Sequence, residues 1–210
     1  EAKTISDRNM IFEVIRNSDG GFLDVNKRVK NELRSWYIKQ LKALADLEPE
    51  NHLLLGRTGG IIDAFGGLDE ALVYYNNALD VQLKVLDQGK KVSGENNAAT
   101  YYNNIGLVYL KKGDFEKALD QLTKALPTEQ NQSAESSRYE AISYNNIGSV
   151  YKAMGDHDKA LEYYKKSLSM GLQHTMGEHD SDVGLAATYN NIGSLYLDKG
   201  DLEKALEYYT

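Results

Sequence analysis

The stretch Tyr102-Asn103-Asn104-Ile105-Gly106 occurs three times in this 210-residue chain. The other two copies are Tyr144-Asn145-Asn146-Ile147-Gly148 and Tyr189-Asn190-Asn191-Ile192-Gly193. Seven residues after each glycine comes a Gly-Asp pair, at Gly113-Asp114, Gly155-Asp156 and Gly200-Asp201. Successive copies are 42 and then 45 residues apart. Periods of this length are typical of chains built from stacked structural repeats, so the repeat decides the fold.

Within each copy, the spacing of bulky and small residues predicts a pair of packed helices. Tyr144 precedes Gly148 by four residues and Tyr151 follows it by three, so all three lie on one face of a helix. A glycine between two bulky residues allows a neighbouring helix to approach closely. The following Gly-Asp predicts a left-handed helix end and then an aspartate N-cap. After it comes a small residue for the second helix, at Ala118, Ala160 and Ala205. The pattern therefore predicts an all-α chain of antiparallel helix pairs.

A less obvious copy precedes these three. Alignment of Gly59 with Gly106 also aligns Gly66 with Gly113 and Ala71 with Ala118, which predicts helices over 53–65 and 68–86. The predicted array spans 51–210, with its last repeat ending in mid-helix. Its repeats cover about 51–88, 97–130, 136–172 and 182–210, joined by polar connectors at 87–97, 128–135 and 171–181.

Residues 1–50 do not follow the repeat pattern. Apolar residues at helical spacing predict one helix over 4–17 and a longer one over 25–47. Because the terminal units of a repeat array need a distinct outer face, we interpret 1–50 as an N-terminal helical cap or as linker helices.

The glycine, alanine and Gly-Asp positions of residues 51–210 resemble the tetratricopeptide repeat. The Tyr-Asn-Asn-Ile-Gly stretch and the connector 176–183 resemble the subclass of about 42 residues that includes kinesin light chain and nephrocystin-type proteins. This resemblance implies an α-solenoid, a right-handed superhelix of stacked helix pairs. It also implies that the first helices line a concave groove for a peptide or a partner helix.

Composition excludes several classes of function. The net charge is −7, and since residues 1–50 carry nine basic and nine acidic side chains, the acidic excess lies in the array. No basic stripe is present, so we expect no nucleic-acid partner. No apolar run reaches the roughly 18–20 residues of a membrane helix, so we expect no membrane partner. The chain has no cysteine, which excludes thiolate chemistry and suits a cytoplasmic location.

The paired asparagines are the polar residues that packing does not require. Asparagine is a mediocre helix former, yet it recurs in mid-helix at the same register. One hypothesis is a row of amides that bind the backbone of an extended peptide, since an amide both donates and accepts. The alternative is that one asparagine of each pair bonds the adjacent repeat and locks the stacking. The predicted peptide-binding residues are Asn103, Asn104, Asn145, Asn146, Asn190, Asn191, Leu107, Leu110, Ser149, Lys152, Ser194 and Leu197.

Other candidate sites are weak. His174, His179, Asp180 and Asp182 lack the spacing of a metal-ligand set, so we expect no metal and no cofactor. No nucleophile and base form a recognisable pair, so we expect no enzyme activity. The positions that would clamp a terminal carboxylate in related domains are not basic here, and the negative charge favours a neutral or basic ligand.

The sequence thus predicts a non-catalytic protein-protein interaction module that acts as a scaffold or adaptor. Two alternatives stay open. One is a self-association scaffold. The other is the peptide-sensing regulatory arm of a larger signalling protein, in which the N-terminal helices would be the moving part.

Overall fold

The computed structural model describes residues 31–88, 98–126, 134–174 and 182–210, and these ranges contain helices and turns but no strand. The chain divides into two compact units, Glu1–Lys91 and Val92–Thr210, called unit 1 and unit 2 below. No helix in the described part is both long and apolar enough to span a bilayer.

Unit 1 contains three described helices. They are α1 (Asn31–Leu47), α2 (His52–Ala64) and α3 (Leu68–Asp87). Asn51 caps α2, since its side-chain oxygen accepts a hydrogen bond from the Leu54 backbone N–H at 3.1 Å. α1 contacts α2 and buries Leu41 completely. The predicted helix over 4–17 lies outside the described residues, and the role of 1–50 as a cap stays a prediction.

Unit 2 contains six described helices in three pairs. They are α4 (Ala98–Lys111) with α5 (Phe115–Lys124), α6 (Ala134–Ala153) with α7 (His157–His174), and α8 (Asp182–Asp198) with α9 (Leu202–Tyr209). We call α4, α6 and α8 the first helices, and α5, α7 and α9 the second helices.

The turns within the pairs have the predicted geometry. Gly113, Gly155 and Gly200 have φ of 75°, 80° and 78°, values that a residue with a side chain rarely adopts. The aspartate that follows each glycine caps the second helix. Asp156 Oδ1, for example, accepts from the Lys159 backbone N–H at 3.1 Å.

The glycine of each first helix lies against its second helix. A Cβ on Gly148 would lie 2.6 Å from the Tyr164 ring, and one on Gly106 would lie 2.6 Å from the Leu122 side chain. At the turn that joins α4 to α5, Lys117 lies over the ring of Tyr109. Residues late in α4 thus meet residues early in α5, so the two helices are antiparallel.

Successive pairs in unit 2 stack on one another through buried clusters. One cluster joins Ala118 and Leu122 of α5 to Ile147 and Val150 of α6. The next repeats this arrangement one pair later, with Ala160, Tyr164, Ile192 and Leu195. The predicted all-α solenoid of stacked helix pairs is confirmed.

Two predicted connectors are longer than the structure allows. The predicted connector 128–135 overlaps the start of α6, which begins at Ala134. The predicted connector 171–181 overlaps the end of α7, which continues to His174. Gly171 lies inside α7, where the absence of a side chain allows Leu185 of α8 to approach closely. A Cβ there would lie 2.6 Å from the Leu185 side chain. A glycine that predicts a turn from composition is here a packing residue inside a helix.

Candidate functional site

The asparagines of neighbouring first helices form hydrogen-bonded pairs. Asn146 Nδ2 donates to Asn103 Oδ1 at 2.8 Å, and Asn191 Nδ2 donates to Asn145 Oδ1 at 2.9 Å. In both cases the first asparagine of one repeat accepts from the second asparagine of the next repeat. The doubled asparagine is therefore a connector between repeats, one side chain for each neighbour.

Helix geometry explains why two asparagines are needed in each copy. Consecutive residues on an α-helix point about 100° apart, so the two side chains of a pair cannot face the same neighbour. Asn146 faces α4 while Asn145 faces α8. The sequence contains a signal for this arrangement, since the bonded asparagines are 43 and 46 residues apart, one more than each repeat period.

Asn103 is almost fully buried and every polar atom of its side chain has a partner. Its Nδ2 donates to Ser143 Oγ at 2.8 Å and to the Ala99 carbonyl at 3.0 Å, while its Oδ1 accepts from Asn146. Ser143, which the sequence analysis missed, is itself buried and donates to the Tyr139 carbonyl. At Asn103 the side chain thus serves the contact between repeats, as the alternative interpretation predicts.

Two of the six asparagines are placed differently. Asn104 is half-buried and Asn190 is exposed, and neither makes a hydrogen bond within the described part of the chain. The counterparts of Asn104 in the other repeats are Asn146 and Asn191, and those of Asn190 are Asn103 and Asn145. All four form hydrogen bonds between repeats. Within the described part, Asn104 and Asn190 are thus the two of these asparagines whose side chains make no hydrogen bond at all.

The first helices of unit 2 share an accessible face, called the first-helix face below. On α6 it comprises Ile142, Asn145 and Ser149, which are spaced three and four residues apart and so lie on one side of the helix. Ile142 is exposed and was not predicted, whereas Asn145 and Ser149 were. The same register gives Thr100 and Leu107 on α4, with the buried Asn103 between them, and Ala187, Asn190 and Ser194 on α8.

Some predicted binding residues contact one another rather than solvent. Lys152 Nζ donates to Ser194 Oγ at 2.6 Å and pairs with Asp198 Oδ2 at 3.0 Å, both on α8. Leu110, the counterpart of Lys152 on α4, packs against the cluster that contains Ile147 and Val150 of the next pair. Leu197, the counterpart on α8, remains exposed.

Each aspartate cap in unit 2 carries an additional lysine contact. Lys159 Nζ pairs with Asp156 Oδ2 at 3.1 Å and lies 5.1 Å from the centre of the Tyr151 ring. Hydrogen bonds from the Lys159 backbone and side chain lower the pKa of Asp156, and the carboxylate in turn raises the pKa of Lys159. The same arrangement occurs at Asp114, Lys117 and Tyr109 and at Asp201, Lys204 and Tyr196.

Outside the first-helix face, the described residues offer little chemistry. A cavity of about 580 Å³ in unit 1 is lined by residues of α1, α2 and α3, among them Asp46, Glu70 and Asp80. Within the described ranges, no group of three or more His, Asp or Glu side chains is placed to hold a metal ion. The connector containing His179 and Asp180 lies outside those ranges.

Comparison with known proteins agrees with this architecture. The model of the tetratricopeptide repeat family matches residues 75–131, 97–173 and 139–210, which together make up more than half of the chain. A search of curated proteins found no match.

Several solved structures share the fold. A crystal structure of MamA is 24% identical, with 84% of each chain covered and a TM-score of 0.54. BtubC (BKLC) from P. vanneervenii is 21% identical, with 98% of this chain and 89% of that chain covered and a TM-score of 0.60. MamA 41-end from Desulfovibrio magneticus RS-1 is 17% identical, with 96% and 88% covered and a TM-score of 0.57. At these identities the similarity establishes the fold alone.

Proposed function

Because the chain belongs to the tetratricopeptide repeat family, whose members present extended binding surfaces to other proteins, we propose that unit 2 binds a peptide or partner helix along its first-helix face. The chain would be a non-catalytic scaffold or adaptor. A cytoplasmic location, which the absence of cysteine favours, belongs to the same proposal.

One observation carries the proposed binding mode. The asparagine pairs fix neighbouring first helices, while Asn190 on the first-helix face is exposed and its amide has no hydrogen bond within the described part. A fixed surface loses little conformational entropy when a ligand binds. An amide that can donate and accept matches the backbone of an extended peptide.

The apolar part of the same face supplies a second kind of contact. Ile142 is exposed and Leu107 is half-buried, so both can pack against ligand side chains. Ser149 and Ser194 lie at matching positions of α6 and α8, but their hydroxyl groups already bond Tyr164 and Lys152, so the apolar side chains supply this contact. A neutral or basic ligand suits the chain's net charge of −7.

The proposal can be tested with peptides selected from a displayed library against the 210-residue chain. We expect Asn190→Ala and Ile142→Arg each to weaken binding of the selected peptides, measured by titration calorimetry. Lys165→Glu is the matched control, because Lys165 is exposed on the second helix α7. If the selected peptides bind both first-helix variants as tightly as the unaltered chain, the first-helix face is not the binding surface.

A further inference from the structure

Unit 1 contains a groove between α1 and α3 that shares no residue with the first-helix face of unit 2. Its volume is about 580 Å³, and its described lining residues belong to α1, α2, α3 and the turn that precedes α2. The floor is apolar and includes the buried side chains of Ala45, Leu55 and Val81. The exposed charged residues that line it are the acidic Asp46, Glu50, Glu70 and Asp80 and the basic Lys84.

Three of these four carboxylates have no basic partner. Glu70 pairs with Lys42 of α1, whereas Asp46, Glu50 and Asp80 form no ion pair within the described part. Unit 2 differs, because six of its aspartates each pair with a lysine: Asp114, Asp120, Asp156, Asp158, Asp198 and Asp201. Even with its one basic lining residue, the groove therefore keeps an excess of negative charge.

The tyrosine of the groove, Tyr74, lacks a cation that its counterpart in unit 2 has. The counterpart is Tyr163 of α7, because the residue after each tyrosine packs on the glycine of the preceding helix. Lys166 Nζ lies 4.7 Å from the centre of the Tyr163 ring, and Asn77 occupies the position of Lys166 in α3. No cation lies over the ring of Tyr74 in the described part. The face of a tyrosine ring attracts cations, so this ring offers a contact that the described chain does not use.

The charges around Tyr74 are also reversed relative to unit 2. Lys159 of α7 corresponds to Glu70 of α3. Burial, together with the negative charges of Asp46 and Glu70, raises the pKa of Tyr74, so both carboxylates lie close to this side chain. A tyrosine ring beside carboxylates and an apolar floor suits a cation on an aliphatic stem, which is the chemistry of lysine and arginine.

We propose that the groove is a docking site for a lysine or arginine side chain on a basic segment of a partner protein. The aliphatic stem of that side chain packs against Val73, which lines the groove and is 57% exposed. Its cationic end contacts the ring of Tyr74 and the carboxylate of Asp46. Asn77, whose amide makes no hydrogen bond in the described part, binds the backbone of the segment. An acidic segment is disfavoured, because it would meet the unpaired carboxylates.

The test uses the fluorescein-labelled peptide Ala-Leu-Lys-Arg-Leu-Ala with blocked ends, and fluorescence anisotropy follows its binding to the 210-residue chain. We expect saturable binding, and binding roughly tenfold weaker when norleucine replaces both basic residues of the peptide. Asp46→Lys should weaken binding by roughly threefold to tenfold through like-charge repulsion. Tyr74→Leu should weaken it by roughly twofold to fivefold, whereas Tyr74→Phe, which keeps the ring, should bind as the unaltered chain does.

An Asn77→Lys variant separates docking from a general loss of folding. It supplies from the chain itself the cation that Lys166 supplies in unit 2, so we expect peptide binding to weaken by roughly threefold to tenfold. The fold should be retained, because Asn77 is exposed and lysine is the better helix former. Asn77→Gln is the matched neutral control and should bind the peptide as the unaltered chain does. Circular dichroism of both variants checks that the helices are intact.

Two further variants test whether the peptide binds elsewhere. Glu116→Lys makes the same kind of charge reversal on exposed α5 in unit 2 and should leave binding unchanged, as should Ile142→Arg on the first-helix face. Weakening by Glu116→Lys equal to that by Asp46→Lys would overturn the proposal in favour of general attraction to an acidic chain. Binding insensitive to both Asp46→Lys and Asn77→Lys, or no saturable binding, would also overturn it. Concentration-dependent dimerisation in sedimentation that Asp46→Lys abolishes would assign the groove to a second copy instead.

Discussion

The side-chain nitrogen of Asn146 lies 2.8 Å from the side-chain oxygen of Asn103, although 43 residues separate the two in sequence. This hydrogen bond joins α4 to α6, and an equivalent bond between Asn191 and Asn145 joins α6 to α8. The bond between Asn103 and Asn146 lies in the interior, since Asn103 is 4% and Asn146 8% exposed. The doubled asparagine thus links the stability of one repeat to the next.

The Asn103→Ala variant should be less stable than the unaltered chain. The substitution removes the hydrogen bond that buried Ser143 Oγ accepts and leaves the buried amide nitrogen of Asn146 without its acceptor. Buried polar groups without partners cost about 1–3 kcal/mol, so the free energy of unfolding should fall by about that amount. Chemical denaturation followed by circular dichroism measures the difference.

The neighbouring Asn104→Ala variant is the control for this prediction. Asn104 makes no hydrogen bond within the described part, so the free energy of unfolding of this variant should change little. Equal destabilisation by the two substitutions would contradict the assignment of Asn103 to the contact between repeats.

Gly148→Ala should destabilise unit 2, because the glycine lies in a close helix contact. The added Cβ would lie 2.6 Å from the Tyr164 ring and 3.2 Å from the Ala160 carbonyl oxygen, and neither group can move freely in the packed cluster. Overpacking of this kind costs about 1–3 kcal/mol. Thermal and chemical unfolding would both record the loss.

Gly184→Ala, in the next first helix, should have the opposite effect. Nothing lies within 4 Å of a Cβ at Gly184, and alanine is the better helix former by up to about 1 kcal/mol. A stabilised Gly148→Ala variant would show that the helices of a pair do not approach as closely as described.

The fold was accessible from sequence because each helix pair is determined by local spacing. Gly106, Gly113 and Asp114 act within one repeat, so their roles follow from helix geometry and capping rules alone. The hydrogen-bond partner of each asparagine could not be predicted in this way. It depends on how α6 is rotated relative to α4, and that rotation is set by contacts such as Ile147 against Leu122 across two repeats. Ser143 was missed for the same reason, since its partner Asn103 lies 40 residues away.

The three aspartate caps predict a specific loss of stability in acid. Hydrogen bonds from lysine lower the pKa of Asp114, Asp156 and Asp201 below the ordinary value of 3.8. A carboxyl group whose pKa is lower in the folded state stabilises the fold above its unfolded pKa. That stabilisation disappears as the pH falls through the folded pKa. The melting temperature should therefore decrease as the pH falls below about 4.

A triple Asp→Asn variant at these positions removes the titrating charge but keeps the helix cap, since asparagine is also a good N-cap. Its melting temperature should depend less on pH between about 5 and 2 than that of the unaltered chain. Equal slopes for the two proteins in this range would show that the acid sensitivity arises at other carboxyl groups.

Tyr144 should make the chain sensitive to alkali. Burial, together with a hydrogen bond to Glu140, raises its pKa to about 12, and its ring lies 6.1 Å from that of Tyr163. A group whose pKa is raised on folding contributes stability below its unfolded pKa of 10.0 and loses it as the pH rises through the folded value. The free energy of unfolding should thus fall between about pH 10 and pH 12. Tyr144→Phe removes the ionising group but keeps the ring, so its unfolding free energy should fall less over this range in denaturant titrations at pH 8, 10 and 11.5. If the unfolding free energies of the variant and the unaltered chain fall equally over this range, ionisation of Tyr144 does not destabilise the folded state.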